Sequence, residues 1–187
     1  MKIYTRKGDD GTTGLLYGGR VPKDSELPTA YGTVDEAQAV LGVARAHVAR
    51  GSELDELVVA LARDLWVLMA ELATDPANRH KLVPGESRVT DEMVEVIEHR
   101  IDDLSARFDP PTQFVVPGEN AAAAFLDLAR TVVRRAERET IRAVAVAGVD
   151  DPDLSGARCV TYLNRLSDLL WTMARWHEGE SLLTRPT

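Results

Sequence analysis

Residues 54–72 read LDELVVALARDLWVLMAEL, with leucine recurring every three or four positions. That spacing matches the 3.6 residues of one α-helical turn, so the leucines share one face of a helix. Gly51 ends the preceding helix and Ser52 caps the new one, while Asp75-Pro76 ends the new helix. The stretch predicts an amphipathic helix that buries its leucine stripe against other helices.

Four further stretches have the same helical periodicity, and Gly148 and Gly179 follow the last two of them. Pro- and Gly-containing loops separate the helices, and we find no internal repeat and no convincing strand beyond short extended pieces. The chain is therefore expected to be all-α, a five-helix up-and-down bundle. It forms one domain over residues 1–187, with a loop at 1–28 and the bundle at 29–179. The predicted helices cover about 30–50, 53–74, 90–108, 119–147 and 155–178.

Composition excludes several classes of protein. The chain has 187 residues and a net charge of −8, which argues against a general nucleic-acid or membrane-surface binder. Its single cysteine, Cys159, excludes an internal disulfide and a thiolate metal cluster, and its helical context predicts a core position. No signal peptide and no apolar run of about 20 residues is visible, so we expect a cytoplasmic protein without a membrane span.

Residues 4–23 read YTRKGDDGTTGLLYGGRVPK and combine five glycines with three threonines and four cationic side chains. Glycine leaves backbone N–H groups uncovered, and such loops wrap anions closely. The hydroxyl and cationic groups add further donors, so the loop predicts a polyphosphate site. The alternative is a disordered N-terminal tail. Neither standard phosphate fingerprint, GxxxxGK[ST] or GxGxxG, is present.

Residues 134–138 read RRAER on the predicted fourth helix. Arg134 lies two residues from each neighbouring core position, about 200° around the helix, and so points away from the core. Arg130, Arg134 and Arg138 repeat every four residues and are expected to line one outer ridge. Because guanidinium groups suit phosphate, the ridge predicts an anion site whose other wall is a second subunit or the N-terminal loop. A solvated face with intrahelical Glu–Arg pairs is the alternative.

Two other helices carry polar residues of interest. Asn164 and Asp168 share one face of the fifth helix, an arrangement that is often only surface decoration. Asp35 lies near the start of the first helix, opposite its apolar face, where it suits the helix dipole or an arginine on a neighbour. Ferritin-like Glu-x-x-His pairs, HExxH and GxSxG are all missing. A chemical role must therefore depend on binding and electrostatics.

Five segments, in this order, resemble the PduO-type ATP:cob(I)alamin adenosyltransferases. Five motifs in register are more specific than any one of them, and they span most of the chain. The resemblance implies a five-helix bundle that assembles as a homotrimer with sites between subunits. The matching segments are TRKGDDGTTGLLYGGRVPKD (5–24), YGTVDEAQAVLG (31–42), FVVPG (114–118), RRAER (134–138) and YLNRLSDLLW (162–171).

The resemblance also implies roles for individual residues. Asp35 would pair with Arg134 across the subunit boundary, Phe114 would cover the lower face of the corrin, and Glu137 would serve the Mg²⁺ of ATP. Arg134, Arg138, Asp35 and Phe114 would thus form the catalytic set. The residues expected to hold ATP are Thr5, Arg6, Lys7, Gly8, Thr13, Gly14, Lys23, Arg134, Arg135, Glu137, Arg138 and Asn164.

By the same resemblance, cob(I)alamin is itself the nucleophile, attacking the ribose 5′ carbon of ATP and expelling triphosphate. The protein would contribute orientation and charge stabilisation. A reductase and an adenosylcobalamin-dependent mutase are possible partners. Two positions depart from the family pattern on the corrin side: Glu119 replaces a glycine, and Asp127 replaces a histidine. The alternatives are an ATP sensor or cobalamin chaperone without turnover, and a purely structural bundle.

Overall fold

Side-chain caps begin three of the five long helices in the computed structural model, which describes residues 3–151 and 153–185. The cap oxygens of Ser52, Thr90 and Asn120 each accept a hydrogen bond from a backbone N–H in the first turn. Left-handed Gly148 ends the fourth helix where the sequence predicts. The helices are α1 (Glu26–Ala46), α2 (Glu53–Leu72), α3 (Asp91–Ser105), α4 (Ala121–Ala147) and α5 (Ala157–Glu178).

The core lies between the helices. Helix α4 packs against α1 and α5, α2 packs against α1, and α3 packs against α5. The predicted leucine stripe of α2 is buried, apart from the half-buried Leu57. Cys159 is buried on α5, as its helical context predicts. The expectation of a five-helix bundle is confirmed.

Several boundaries differ from the predicted ones. Helix α1 begins at Glu26 and ends at Ala46, four residues earlier at each end than expected. Pro76–Lys81 forms a 3₁₀ helix inside a stretch predicted as loop, because the Asp75 carboxylate accepts from the N–H of Ala77. Helix α3 stops at Ser105, before Phe108.

The N-terminal loop contains two short strands that the sequence does not predict. Strands β1 (Thr12–Gly14) and β2 (Arg20–Pro22) pair antiparallel, with Thr13 opposite Val21. The backbone N–H of Leu16 donates to the Ala73 carbonyl over 2.8 Å and attaches this hairpin to the end of α2. Three-residue polar strands have no apolar alternation to read, so the sequence anticipates only short extended pieces and does not show that these two pair.

A tail of residues 179–185 returns along the bundle after α5. Gly179 ends the helix with φ 78°, and Leu183 then forms an antiparallel bridge with Val115 in the segment before α4. The sequence predicts an extended connection at 114–118 but no partner for it. Among the residues described, no helix is both long and apolar enough to cross a membrane.

Candidate functional site

Arg20 organises the hairpin of the N-terminal loop. Its Nε donates to Thr12 Oγ1 over 3.0 Å, and its second terminal nitrogen donates to the same oxygen and to the backbone carbonyl of Lys7. The Asp10 carboxylate accepts from the backbone N–H and the hydroxyl of Thr12. The backbone hydrogen bond from Thr12, followed by its hydroxyl, lowers the pKa of Asp10. Arg20 and Asp10 therefore fix the loop's conformation rather than face outward as free charges.

Two glycines of the loop differ in what surrounds them. A Cβ at Gly8 would lie 3.0 Å from the Thr12 carbonyl oxygen and 3.1 Å from the Lys23 ammonium, so Lys23 covers this part of the loop. At Gly14, by contrast, no heavy atom lies within 4 Å of the Cβ position, and the backbone has no positive φ. The fold itself therefore does not require glycine at position 14.

The remaining loop residues predicted to hold ATP are largely open to solvent. Thr5 accepts a hydrogen bond from the N–H of Lys7, and Arg6 lies over the Tyr4 ring at 5.6 Å. Thr13 is half-buried in β1. Exposed threonine and cationic groups on one hairpin are available to a bound anion, but their position alone does not identify it.

Helices α4 and α5 bring the predicted ridge residues together on an outer face. Arg134 and Arg138 are exposed, and the Arg138 guanidinium donates to the Arg134 carbonyl over 2.9 Å. Asn164 Nδ2 donates to Glu137 Oε1 over 3.0 Å, which joins the two helices at this point. Over residues 3–151 and 153–185, neither Arg134 nor Arg138 forms an ion pair with a carboxylate. We call Arg134, Glu137, Arg138 and Asn164 the arginine face.

Arg130 does not belong to this face, and the prediction of one continuous ridge of three arginines is wrong. Arg130 is half-buried, and its Nε lies 3.2 Å from Oδ1 of the buried Asp127, one turn earlier. A residue at i+3 on a helix contacts the same patch of surface, so the carboxylate draws Arg130 away from Arg134. Arg130 instead lines the cavity beside Phe114.

Arg135 on α4 and Asp35 on α1 are both predicted site residues, but they differ in their contacts. Arg135 forms an ion pair with Glu36 and so links α4 to α1 within the chain. Asp35 is exposed on α1, and it has no hydrogen-bond or ion-pair partner in the described part of the chain. Its expected pairing with Arg134 of a second subunit stays a prediction.

A cavity of about 450 Å³ opens beside Phe114, whose side chain is 87% exposed. Backbone from the segment before α4 forms one side of it, and α4 and α5 supply Asp127, Arg130, Trp171 and Arg175. An exposed aromatic ring above an open cavity is a common arrangement for holding a flat ligand.

Arg175 and Asp127 form a buried ion pair under this cavity that sequence reasoning missed. The Arg175 terminal nitrogen donates to Asp127 Oδ2 over 2.7 Å and to Glu178 Oε2 over 2.9 Å. Its Nε also lies 2.6 Å from Glu178 Oε1, in charge contact but without hydrogen-bond alignment. Burial lowers the pKa of Arg175, but the hydrogen bonds that it donates to Asp127 and Glu178 outweigh burial and raise the pKa overall. Arg175 therefore stays charged although it is 1% exposed.

The hairpin and the arginine face lie apart in one chain. Strand β2 lines a surface pocket with Ala143, Val146 and Ala147 near the C-terminal end of α4. Arg138 lies five to nine residues earlier, about 8–14 Å along the axis. No hydrogen bond or ion pair joins residues 4–23 to Arg134 or Arg138 in the described ranges. Within the same ranges no group of three or more His, Cys, Asp or Glu side chains could hold a metal ion by itself.

The sequence profile of the cobalamin adenosyltransferase family matches residues 3–177. The chain belongs to the cobalamin adenosyltransferase family. It is 42% identical over 177 residues to the corrinoid adenosyltransferase of Citrobacter freundii, with 95% of each chain covered. It is 38% identical over 175 residues to the corrinoid adenosyltransferase of Mycobacterium tuberculosis, covering 93% of this chain and 87% of that one.

Solved structures of this family have the same fold. One is a phenylalanine-to-alanine variant of a PduO-type ATP:corrinoid adenosyltransferase from Lactobacillus reuteri, complexed with cobalamin and ATP. It superposes on this chain with a TM-score of 0.85 and 25% identity, covering 99% of this chain and all of that one. The resemblance drawn from five sequence segments is thereby confirmed at the level of the family and its helical fold.

Proposed function

We propose that this protein transfers the 5′-deoxyadenosyl group of ATP to cob(I)alamin, giving adenosylcobalamin and triphosphate. Membership of the cobalamin adenosyltransferase family over residues 3–177 supports the reaction. The observation that carries the site is the arginine face: two exposed arginines without a carboxylate partner among the residues described, beside the hydrogen-bonded pair Glu137–Asn164. Cationic side chains that the fold leaves unneutralised are available to a polyphosphate.

The substrate supplies the nucleophile in this reaction. The cobalt of cob(I)alamin attacks the ribose 5′ carbon of ATP with an electron pair, a Co–C bond forms, and the C5′–O bond breaks. The electron pair of that bond leaves with the triphosphate, so negative charge grows on the leaving group. We place three cationic side chains around that charge, those of Arg134, Arg138 and Lys23. They stabilise the leaving triphosphate more strongly in the transition state than in bound ATP.

The glycine loop would hold the triphosphate from the opposite side. By this proposal the hydroxyls of Thr5 and Thr13 and the backbone at Gly8 and Gly14 contact the triphosphate, with Arg6 and Lys7 adding charge. Since the hairpin and the arginine face lie apart in one chain, one subunit would supply the loop and its neighbour the arginine face. A homotrimer with three such sites satisfies this geometry, and Asp35 of one subunit would orient Arg134 of the next.

Glu137 fits the Mg²⁺ that accompanies ATP. Mg²⁺ is usually held by one or two carboxylates together with substrate phosphates and water, so a single well-placed glutamate is enough. The hydrogen bond from Asn164 leaves Glu137 Oε2 without a partner among the described residues. Mg²⁺ would supply charge neutralisation of the triphosphate when bound.

Phe114 and its cavity would receive the corrin. An apolar ring against the lower face excludes water there and disfavours a lower axial ligand on cobalt, which eases reduction of Co(II). The enzyme would work in the cytoplasm, with a reductase providing cob(I)alamin and an adenosylcobalamin-dependent mutase using the product. Holding both substrates in line would account for much of the remaining acceleration.

A turnover assay tests this proposal. The protein is incubated with ATP, Mg²⁺ and chemically reduced cobalamin, and adenosylcobalamin is followed by absorbance. We expect product and triphosphate in equal amounts, with no product when ATP is omitted. ATP and cobalamin binding without turnover would instead indicate a nucleotide sensor or cobalamin chaperone, and the absence of ATP binding would indicate a structural bundle.

A further inference from the structure

The backbone of Phe114 is held by the tail rather than by the helices. The Val116 N–H donates to the Leu182 carbonyl over 2.7 Å, and the Thr184 N–H donates to the Phe114 carbonyl over 2.9 Å. These two bonds flank the bridge between Val115 and Leu183. Because the Phe114 ring is 87% exposed, side-chain packing does little to fix it. Its position therefore depends on where the tail lies.

The start of the tail is fixed in turn by a buried carboxylate. The Ser181 hydroxyl donates to Glu178 Oε1 over 2.5 Å, and the Glu178 side chain is fully buried against Arg175. Gly179 makes this contact possible, since its φ of 78° reverses the chain just after α5. A residue with a Cβ would be strained in that conformation.

Arg175 extends the same network to the cavity. It contacts Asp127, which also pairs with Arg130, so two carboxylates and two guanidinium groups alternate without a break. Buried ion pairs add little net stability because desolvation offsets their attraction, and their best-attested use is to fix one arrangement of the chain. The network runs from the cavity wall beneath Phe114 to the tail that holds the Phe114 backbone.

We propose that Glu178 and Ser181 are positioning residues for the corrinoid, acting through the tail at 181–185 to hold Phe114 over its cavity. We call Arg175, Glu178 and Ser181 the tail clasp. The proposal rests on the proposed function insofar as the ligand of the cavity is cobalamin. Loss of the clasp frees the tail, so the ring no longer closes on the corrin, while the arginine face on α4 and α5 keeps its geometry. Loss of the clasp should then weaken corrinoid binding and leave ATP binding nearly unchanged.

Three variants test the clasp in the full-length protein. Ser181→Ala removes one hydrogen bond, Glu178→Gln removes the charge while keeping the shape, and Ser181→Thr restores a hydroxyl. Glu180→Ala is the matched control, because Glu180 lies in the same tail, exposed and outside the clasp. Hydrogen exchange at the Val116 and Thr184 amides reports on the tail directly. Steady-state kinetics with cob(I)alamin and with MgATP reports on the two substrates.

Ser181→Ala and Glu178→Gln are expected to speed exchange at both amides and to raise KM for cob(I)alamin about tenfold, the size expected for a charge-assisted hydrogen bond. KM for ATP should stay within about twofold of the wild-type value. Ser181→Thr and Glu180→Ala should behave like the wild type.

Unchanged amide exchange, or equal changes in both KM values, would overturn the clasp. If Glu178→Gln does not fold, Ser181→Ala decides. A wild-type protein without turnover refutes the proposed function instead, and amide exchange with direct cobalamin binding then tests the clasp.

Discussion

Asn164 Nδ2 lies 3.0 Å from Glu137 Oε1, and this hydrogen bond joins α5 to α4 at the centre of the arginine face. Arg165 donates to Asn164 Oδ1 over 2.7 Å and fixes the orientation of the amide. Asn164 is thus held from both sides, and it holds Glu137 in turn. The face is prepared before any ligand arrives, which is the arrangement that electrostatic catalysis requires.

Arg138→Ala is expected to lower kcat by at least about a hundredfold, in line with the loss of one charge-stabilising donor. Arg138 is exposed and, within the described ranges, bonds only to its own helix, so the helical circular dichroism spectrum and the mass of the assembly should not change. Arg142→Ala is the matched control, since Arg142 is an exposed arginine one turn along that pairs with Glu139. A variant that fails to fold would show that Arg138 is structural.

Asp35→Ala should weaken both assembly and catalysis. Asp35 is exposed on α1 and has no partner in the described ranges, as expected of a carboxylate whose partner lies on another subunit. Removing one member of a desolvated charge pair typically costs about 2–5 kcal/mol. Sedimentation at low protein concentration, with activity measured alongside, checks this. Glu56→Ala, an exposed carboxylate on α2, is the control, and a stable assembly with wild-type kinetics for Asp35→Ala would rule the pairing out.

Gly14→Ala tests whether the loop keeps space for a ligand. No atom lies within 4 Å of the added Cβ and the backbone φ suits alanine, so the melting temperature should not fall. If phosphate oxygens approach this part of the backbone, the methyl group obstructs them, and we expect Kd for MgATP to rise by about tenfold or more. Titration calorimetry measures this Kd. Gly11→Ala is the contrasting variant, because its φ of 81° makes alanine strained and should destabilise the hairpin.

The helices could be predicted because their apolar residues repeat at helical spacing, and their stops could be predicted from Gly148 and Gly179. The hairpin could not, because strands of three residues carry no alternation, and backbone bonds and Arg20 hold them instead. Of the candidate site, the exposed arginines 134 and 138 follow from their angle to the core stripe, whereas the inward turn of Arg130 depends on Asp127, which helical angle alone does not show.

Buried charges were the largest part that sequence reasoning missed. Arg175 lies two residues from Met173, about 200° around α5, yet it is 1% exposed, because Asp127 and Glu178 neutralise it. Arg79 is fully buried as well and donates to the Leu154 carbonyl over 2.6 Å. From sequence alone an arginine is assigned to the protein surface, because charged residues are seldom buried unless they are paired. Glu178 lies on the same helix as Arg175, but Asp127 and the Leu154 carbonyl come from another helix and a loop, so only the fold reveals them.

Asp64→Asn should remove one component of the pH dependence of stability. Burial raises the pKa of Asp64 above its ordinary value of 3.8, although the Tyr162 hydroxyl donates to it over 2.9 Å. The folded state therefore binds this proton more tightly than the unfolded state, and its contribution to the free energy of unfolding falls as the pH rises from 3.8 through the raised pKa. Asparagine keeps an acceptor for Tyr162 without a charge.

Denaturant unfolding of both proteins across that pH range checks the sign. The free energy of unfolding of the wild type should fall relative to that of Asp64→Asn as the pH rises. Asp109→Asn, at an exposed loop position, should follow the wild type. A difference that grows in the opposite direction would mean that Asp64 is stabilised as a carboxylate.

We expect nucleotide to order the N-terminal loop, but not uniformly. The sequence predicts that residues 4–23 are mobile without ATP, because they hold little apolar surface to offset the entropy of being fixed. The hairpin limits the expected mobility to part of the loop, because Leu15 is buried and the Leu16 N–H donates to the Ala73 carbonyl at the end of α2. The amides of Lys7, Asp9 and Gly11 donate only within turns of residues 5–11, among the residues described. Arg20 and Lys23 hold two carbonyls of this stretch, those of Lys7 and Gly11. Residues 5–11 are the part that triphosphate would order.

Hydrogen exchange with and without MgATP measures this directly. Amides at 5–11 should exchange fast in the apo protein and become protected when phosphate oxygens accept from them, while Leu15 and Leu16 change less because they are already bonded. Helix α2 serves as the internal reference, since its leucine core should not respond to nucleotide. Full protection of residues 5–11 without ATP would show that this part of the loop belongs to the fold and does not close over the triphosphate.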